Sequence, residues 1–301
     1  MATMSSTPGS VSMISFWGMY SHYNGAVTLG LLLATVMLEV VTGAYRLPAQ
    51  LTLPEGPGPF AAVVLVHGSG PNDMDETIGK NKPFRDIAEG LAERGIASLR
   101  YVKRTKQYGA SLPAGILLWE ETVEDAVSAV ALLRKQPKID GKRVFVVGHS
   151  LGAYAAPRIG RADGGIAGLV LLAGPARPFE VVLDEQLRYL DMQAERAAAL
   201  KKAIPKAYLE DLAGDPVAVA RGLKMPMLIL QGERDYQVTM EDFRLWKALE
   251  GLRVTLKSYP AMNHLFHPGQ GKARPAEYNL VAPFSPMVLD DIAGWVKGIR
   301  P

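Results

Sequence analysis

A serine stands between two glycines in Gly148-His149-Ser150-Leu151-Gly152, directly after the apolar run 144–147 and directly before a helix-compatible run over 153–159. G-x-S-x-G in that context puts a hydroxyl on a sharp strand-to-helix turn, where it is exposed as a nucleophile toward a carbonyl carbon. The glycines have a steric reason, since such a turn is strained and only residues without a side chain let neighbouring backbone come close. The plain alternative is a glycine-rich turn without chemistry. A hydroxyl is a weak nucleophile at neutral pH, so acyl transfer through Ser150 calls for a base and for a carboxylate that orients the base.

The chain has five histidines. His22 lies in an uncharged leader, His67 precedes a turn glycine and His149 is the variable residue of the serine motif, which leaves His264 and His267. His264, in Tyr259-Pro260-Ala261-Met262-Asn263-His264, follows a strand and falls on a loop at the edge of the sheet. It is the preferred base, and His267 reads as a surface-loop histidine. The acid is sought at the end of the preceding strand, in Gln231-Gly232-Glu233-Arg234-Asp235, with Asp235 preferred over Glu233. Developing negative charge on the attacked carbonyl needs preorganised donors. The backbone N–H of Leu151 supplies one; the turn His67-Gly68-Ser69-Gly70-Pro71 supplies the other, from Ser69 or alternatively from Gly68.

These residues need a scaffold with strand ends in a row. In 301 residues, 48% hydrophobic and 21% charged, the chain has the composition of a globular protein, which excludes disorder and coiled coil. The absence of cysteine excludes disulfide scaffolds, zinc ribbons and thiol nucleophiles. A net charge of +3 is too small for nucleic-acid binding through the overall field. Apolar runs at 36–42, 61–66, 96–101, 144–147, 166–173, 227–230 and 254–259 read as strands, and helical spacing recurs at 83–94, 120–135, 239–249 and 286–297. Such alternation indicates an α/β fold with a mostly parallel central sheet covered by helices on both faces. Residues 175–223 hold helix-prone pieces and no strand, and read as a helical cap over the C-terminal ends of the strands, where open sheets bind ligands. The expected division is an N-terminal arm over 1–35, a core of 36–174 and 224–301, and the cap.

No Asp, Glu, Lys or Arg precedes Glu39. The thirteen mostly apolar residues 26–38 fall short of the ~20 that span a bilayer as a helix, and a secretory signal would begin with basic residues that are missing here. The leader therefore reads as an arm packed on the domain or across a homodimer interface, with a cytoplasmic location; export or membrane association through this segment is the alternative. Arg100, Lys103, Arg104 and Lys106 follow a strand and read as a solvated loop, against the alternative of a patch attracting acidic substrates.

The chain resembles the α/β-hydrolase superfamily, and within it a group of bacterial carboxylesterases carrying H-G-S-G-P-N-D-x-D-E-T-I-G after the first parallel strand. Here that stretch is H-G-S-G-P-N-D-M-D-E-T-I-G, residues 67–79, and the likeness continues through Asn81-Lys82-Pro83-Phe84, the serine motif, L-I-L-Q-G-E-R-D-Y-Q-V over 228–238, and Asn263-His264-Leu265-Phe266. The resemblance runs from about residue 38 to the end. It implies a serine carboxylesterase with a helical cap acting on short acyl esters, with Ser150, Asp235 and His264 as the triad, a small-molecule ester as substrate, and no metal or organic cofactor. A peptidase or thioesterase on the same fold, or a binding protein that has lost activity, are the alternatives. Two positions depart from the pattern: Val102 stands where Asp is expected and Met74 where Arg is expected. If those two normally pair, their joint loss leaves no orphan charge and reshapes the mouth of the site.

Overall fold

The computed structural model describes residues 33–113 and 115–300. Strands β1 (Ala34–Thr42), β2 (Tyr45–Leu53), β3 (Phe60–Val66), β4 (Ala97–Tyr101), β5 (Ile139–His149), β6 (Leu169–Leu172), β7 (Met227–Gly232) and β8 (Val254–Tyr259) form one sheet in the order β1-β2-β4-β3-β5-β6-β7-β8. Only β2 runs against its neighbours; every pairing from β4 to β8 is parallel. The central strands are buried on both faces, so β3 reads F-A-A-V-V-L-V, apolar throughout. That continuity is what a covered parallel strand requires.

Alternate residues of these strands serve two separate cores. Val63, Leu65, Val147, Val170 and Leu230 face helices α1 (Pro83–Glu93) and, at the end of the chain, α10 (Pro286–Gly298), through Phe84, Ile87, Leu91, Val288 and Ile292. Val64, Val66, Val146, Leu171 and Ile229 face the other way. There they meet α3 (Asp125–Arg134) and α4 (Leu151–Ala162) through Ala129, Val130, Leu133, Ala156 and Ile159. Each such Val, Leu or Ile contributes about 1.5–3 kcal/mol by leaving water. α1 begins with Pro83 at its first turn, where the missing N–H costs nothing. A short helix α2 (Arg104–Tyr108) follows β4, and a π-helical turn, Trp119–Glu124, leads into α3.

One strand escapes the sequence reading. β2 has Leu47, Ala49 and Leu51 buried in alternation, but Pro48 interrupts it, and proline argues against an inner strand. Pro48 is tolerated because the ladder between β2 and β4 begins only at Ala49. Its carbonyl accepts the N–H of Val102 at 2.8 Å. β1 starts at Ala34, two residues before the expected strand, and takes up the last part of the apolar leader as an edge strand with Met37 and Val41 turned to solvent. The rest of the leader, and with it the arm and the dimer contact expected of it, lies outside the described residues. Among the described residues no helix is long and apolar enough to cross a membrane.

Between β6 and β7 the chain forms four helices and no strand: α5 (Phe179–Tyr189), α6 (Ala194–Ala203), α7 (Lys206–Leu212) and α8 (Pro216–Arg221). α8 is capped by Asp215, whose side chain accepts the N–H groups of Val217 and Ala218, and it packs on α4. α7 is fastened to the same region: the Tyr154 hydroxyl on α4 donates to the Leu212 and Gly214 carbonyls, and Arg158 pairs with Asp211. Helix α9 (Met240–Trp246) follows β7.

Candidate active site

Ser150 is the single residue between the end of β5 and the first turn of α4, with φ 53° and ψ −115°. A side chain at positive φ is strained, and the strain holds because the surroundings leave no alternative. A Cβ on Gly148 would sit 2.3 Å from the Gly152 carbonyl oxygen, and one on Gly152 would sit 2.1 Å from that of Val66 at the end of β3. Neither distance is possible for real atoms, so the motif's two glycines are demanded by backbone contact across the turn. Leu151, the first residue of α4, carries one of the helix N-terminal N–H groups that have no partner within the helix.

The structure brings Asp235 and His264 together and places His264 on the same cavity as Ser150. Asp235 follows the end of β7 and His264 lies in the loop after β8. His264 Nδ1 and Asp235 Oδ2 are 2.6 Å apart, both side chains almost wholly buried. Asp235 is held from its other side by the N–H groups of Gln237 (2.7 Å) and Val238 (3.2 Å) on Oδ1 and by Gln231 Nε2 (3.2 Å) on Oδ2. Held at both oxygens, the carboxylate is fixed in orientation toward His264. Asn263 closes the loop that carries His264 by accepting the N–H groups of Leu265 and His267 at 3.0 Å. The alternatives lie elsewhere: Glu233 is exposed and accepts the Ser258 hydroxyl at 2.7 Å, and His267 does not border the cavity that holds Ser150 and His264. His267 corrects the expectation of a surface histidine, because it is only 3% exposed, and among the described residues neither ring nitrogen has a hydrogen-bond partner.

Two residues of the site were not singled out from the sequence. Glu76, buried, accepts the Gly68 N–H at 2.5 Å with Oε1 and meets His149 Nδ1 at 2.9 Å with Oε2. His149 Nε2 lies 3.0 Å from the His264 carbonyl oxygen, and the two rings are 4.7 Å apart. Burial opposes charge on both partners, yet their mutual attraction and hydrogen bonds carry Glu76 below and His149 above their ordinary pKa values. A protonated His149 donates to both neighbours. The signal was present in the sequence as a glutamate inside the recurring 67–79 stretch and a histidine as the variable residue of the serine motif.

His67 is the opposite case. It is buried between Phe84 and Tyr101, and among the described residues neither nitrogen has a hydrogen-bond partner. Burial, with the nearby Lys103 charge adding to it, pushes its imidazole down to about 4 despite the pull of Glu76. Between pH 6.5 and 4 the unfolded chain therefore binds a proton that the folded chain refuses, and stability falls as pH falls. Urea titrations of the protein and of His67→Leu at pH 7 and pH 5 should show the parent losing about 2 kcal/mol more than the variant. Equal losses would mean that His67 takes up its proton freely in the folded state.

Ser150 and His264 line a cavity of about 270 Å³ with Gly68, Ser69, Leu151 and His149. Helix α5 lines it with Phe179, Val182, Leu183 and Gln186, together with Asn72, Gln237 and Val238. Met74 and Val102 are each half-buried and do not line it. The basic run is also corrected. Only Lys106 is exposed, whereas Arg100 pairs with Asp75 and donates to Gln50, Arg104 grips Asp125 and Lys103 is buried beside Glu121. These charges are internal ties and neither a solvated loop nor a patch for acidic ligands.

An eight-stranded, mostly parallel sheet with a strained serine elbow after its fifth strand defines the α/β-hydrolase fold, and residues 63–281 match the alpha/beta hydrolase family, to which the chain belongs. In sequence it is 43% identical over 275 residues to Esterase EstD of Thermotoga maritima, covering 83% of this chain and 65% of that one. It thus spans just under two thirds of that relative's length. It is 23% identical over 237 residues to the uncharacterized peptidase YtmA of Bacillus subtilis, covering 77% of this chain and 86% of that one. Among solved structures, an esterase from Pyrococcus furiosus matches with a TM-score of 0.63 at 16% identity, over 93% of this chain and 96% of that one. That likeness is one of fold.

Proposed function

We propose that this protein is a serine carboxylesterase with Ser150 as nucleophile, His264 as general base and Asp235 as the acid that orients it. The observation that carries the reading is the buried 2.6 Å bond between Asp235 and His264, which opens on the cavity where Ser150 sits at positive φ. With Nδ1 bound to Asp235, His264 keeps Nε2 for the serine proton. Ser150 Oγ then attacks the ester carbonyl, the carbonyl electrons move to oxygen, and collapse expels the alcohol with the proton from His264. Water attacks the acyl-enzyme with the roles reversed and releases the carboxylic acid. Because Glu76 occupies the Gly68 N–H, the donors for the oxyanion are Ser69 and Leu151. The named relative EstD, an esterase, supports the same reaction class.

Helices α5 to α7 are read as the cap, since α5 walls the cavity, and α8 as part of the core against α4. A 270 Å³ cavity walled by Phe179, Val182 and Leu183 suits a short apolar acyl group. A p-nitrophenyl ester series from C2 to C12 is expected to give kcat/KM highest at about C2 to C6 and falling beyond about C8. A maximum above C10 would recast the enzyme as a lipase. The likeness to YtmA favours a peptidase as the second reading. Turnover of aminoacyl p-nitroanilides faster than of p-nitrophenyl butyrate would select it. Failure of a fluorophosphonate to label Ser150 would instead point to a binding protein. Substrate is a small-molecule ester under the proposed reading, and the location cytoplasmic.

A further inference from the structure

Lys103 is buried against the turn that carries Ser69. It is 2% exposed, its Nζ donates to the Gly68 carbonyl at 3.0 Å, and Glu121 Oε1 lies 3.5 Å away. Gly68 C=O and Ser69 N–H are the two ends of one peptide group. A cation on the oxygen draws electron density out of the amide, which makes the N–H at the other end a stronger donor, and it fixes the peptide with the carbonyl turned inward and the N–H turned away. The same turn is held at two further points: Glu76 accepts the Gly68 N–H, and Asn72 Nδ2 donates to the Gly68 and Ser69 carbonyls at 3.2 and 3.1 Å.

The tie continues outward. Glu121, itself buried, accepts the hydroxyl of Tyr208 at 2.6 Å, and Tyr208 belongs to α7. The Tyr208 proton takes up part of the Glu121 charge that would otherwise neutralise Lys103. We propose that Lys103 is the positioning residue of the Ser69 oxyanion donor, and that Tyr208 on α7 sets, through Glu121, how strongly Lys103 polarises that donor. This rests on the esterase reading above and adds to it a link between a helix of the 175–223 segment and the strength of the oxyanion site.

The test compares Lys103→Met and Tyr208→Phe with the parent enzyme on p-nitrophenyl acetate, together with inhibition by a short alkyl trifluoromethyl ketone, whose adduct with the serine mimics the tetrahedral oxyanion. Weakening one of two donors should lower kcat about 30-fold in Lys103→Met, below the 10²- to 10³-fold typical of removing a donor. KM should stay within about threefold, and ketone affinity should fall in proportion to kcat/KM. Tyr208→Phe, which buries no new charge, should lower kcat about threefold with KM unchanged. Unchanged kcat in Lys103→Met, or losses confined to KM, would overturn the role of Lys103, since a merely structural tie has no preference for the transition state. Unchanged kcat in Tyr208→Phe would overturn the link to α7, and that variant decides the matter if Lys103→Met does not fold. A parent protein that neither hydrolyses the ester nor reacts with a fluorophosphonate would refute the esterase reading itself, independently of either variant.

Discussion

Ser150→Ala is expected to lower kcat on p-nitrophenyl butyrate by about 10⁶-fold. The size follows from the way the parts act as a unit. Without the hydroxyl no acyl-enzyme forms, the Asp235–His264 pair has no proton to remove, and the remaining rate is what the Ser69 and Leu151 amides give to direct attack by water. The fold should not change, because Ser150 makes its structural contribution through its backbone: its N–H bonds the Leu172 carbonyl at 2.9 Å and its carbonyl accepts the Tyr154 N–H at 3.0 Å. Alanine keeps both. At φ 53° neither side chain is comfortable, so strain is nearly the same in the two proteins. Melting temperatures within a few degrees, alongside the loss of turnover and of fluorophosphonate labelling, are the expected pair of results. Near-full activity would end the assignment of the nucleophile.

Asp235→Asn should cost about 10⁴-fold in kcat. An asparagine preserves the shape but not the polarity of the contacts. Oδ1 of Asp235 accepts two backbone N–H groups, from Gln237 and Val238, so the side-chain oxygen of asparagine would be kept there and its amino group would face His264 Nδ1. The imidazole would then have to present a lone pair at Nδ1 and carry its proton on Nε2, the nitrogen that must take the proton of Ser150. The residual rate of Asp235→Asn should rise with pH as hydroxide replaces the lost base, and a kcat–pH profile against the parent checks it. Loss below about tenfold would show that Glu233 or another carboxylate serves in its place.

The elements most legible in the sequence were those whose cause is local. Gly148 and Gly152 announce a turn without room for a side chain, the apolar run of β3 announces burial on both faces, and Asp235 and His264 follow strand patterns in chain order. What stayed hidden depends on partners far along the chain. Arg100, Lys103 and Arg104 look like a loop charge cluster because Asp75, Glu121 and Asp125 are some twenty residues away in sequence, and no local pattern says that these charges pair indoors. Glu76 and His149 are 73 residues apart, so their contact is invisible until the turn after β3 and the end of β5 are set side by side. β2 was missed because Pro48 is a local signal against a strand, overruled by a register in which its missing N–H is not needed.

Glu76 has a consequence for how this site adapts. One carboxylate reaches the turn that carries Ser69, through the Gly68 N–H, and through His149 the backbone of His264 itself. The proposed nucleophile, base and oxyanion turn are thereby tied together like three corners of a braced frame. Under the proposed reading, accommodation of different acyl or alcohol groups falls to lining residues outside the frame, such as Phe179, Val182, Leu183 and Gln186 on the face of α5. Drift in substrate preference can proceed by exchange of those side chains while the reacting corner keeps its dimensions.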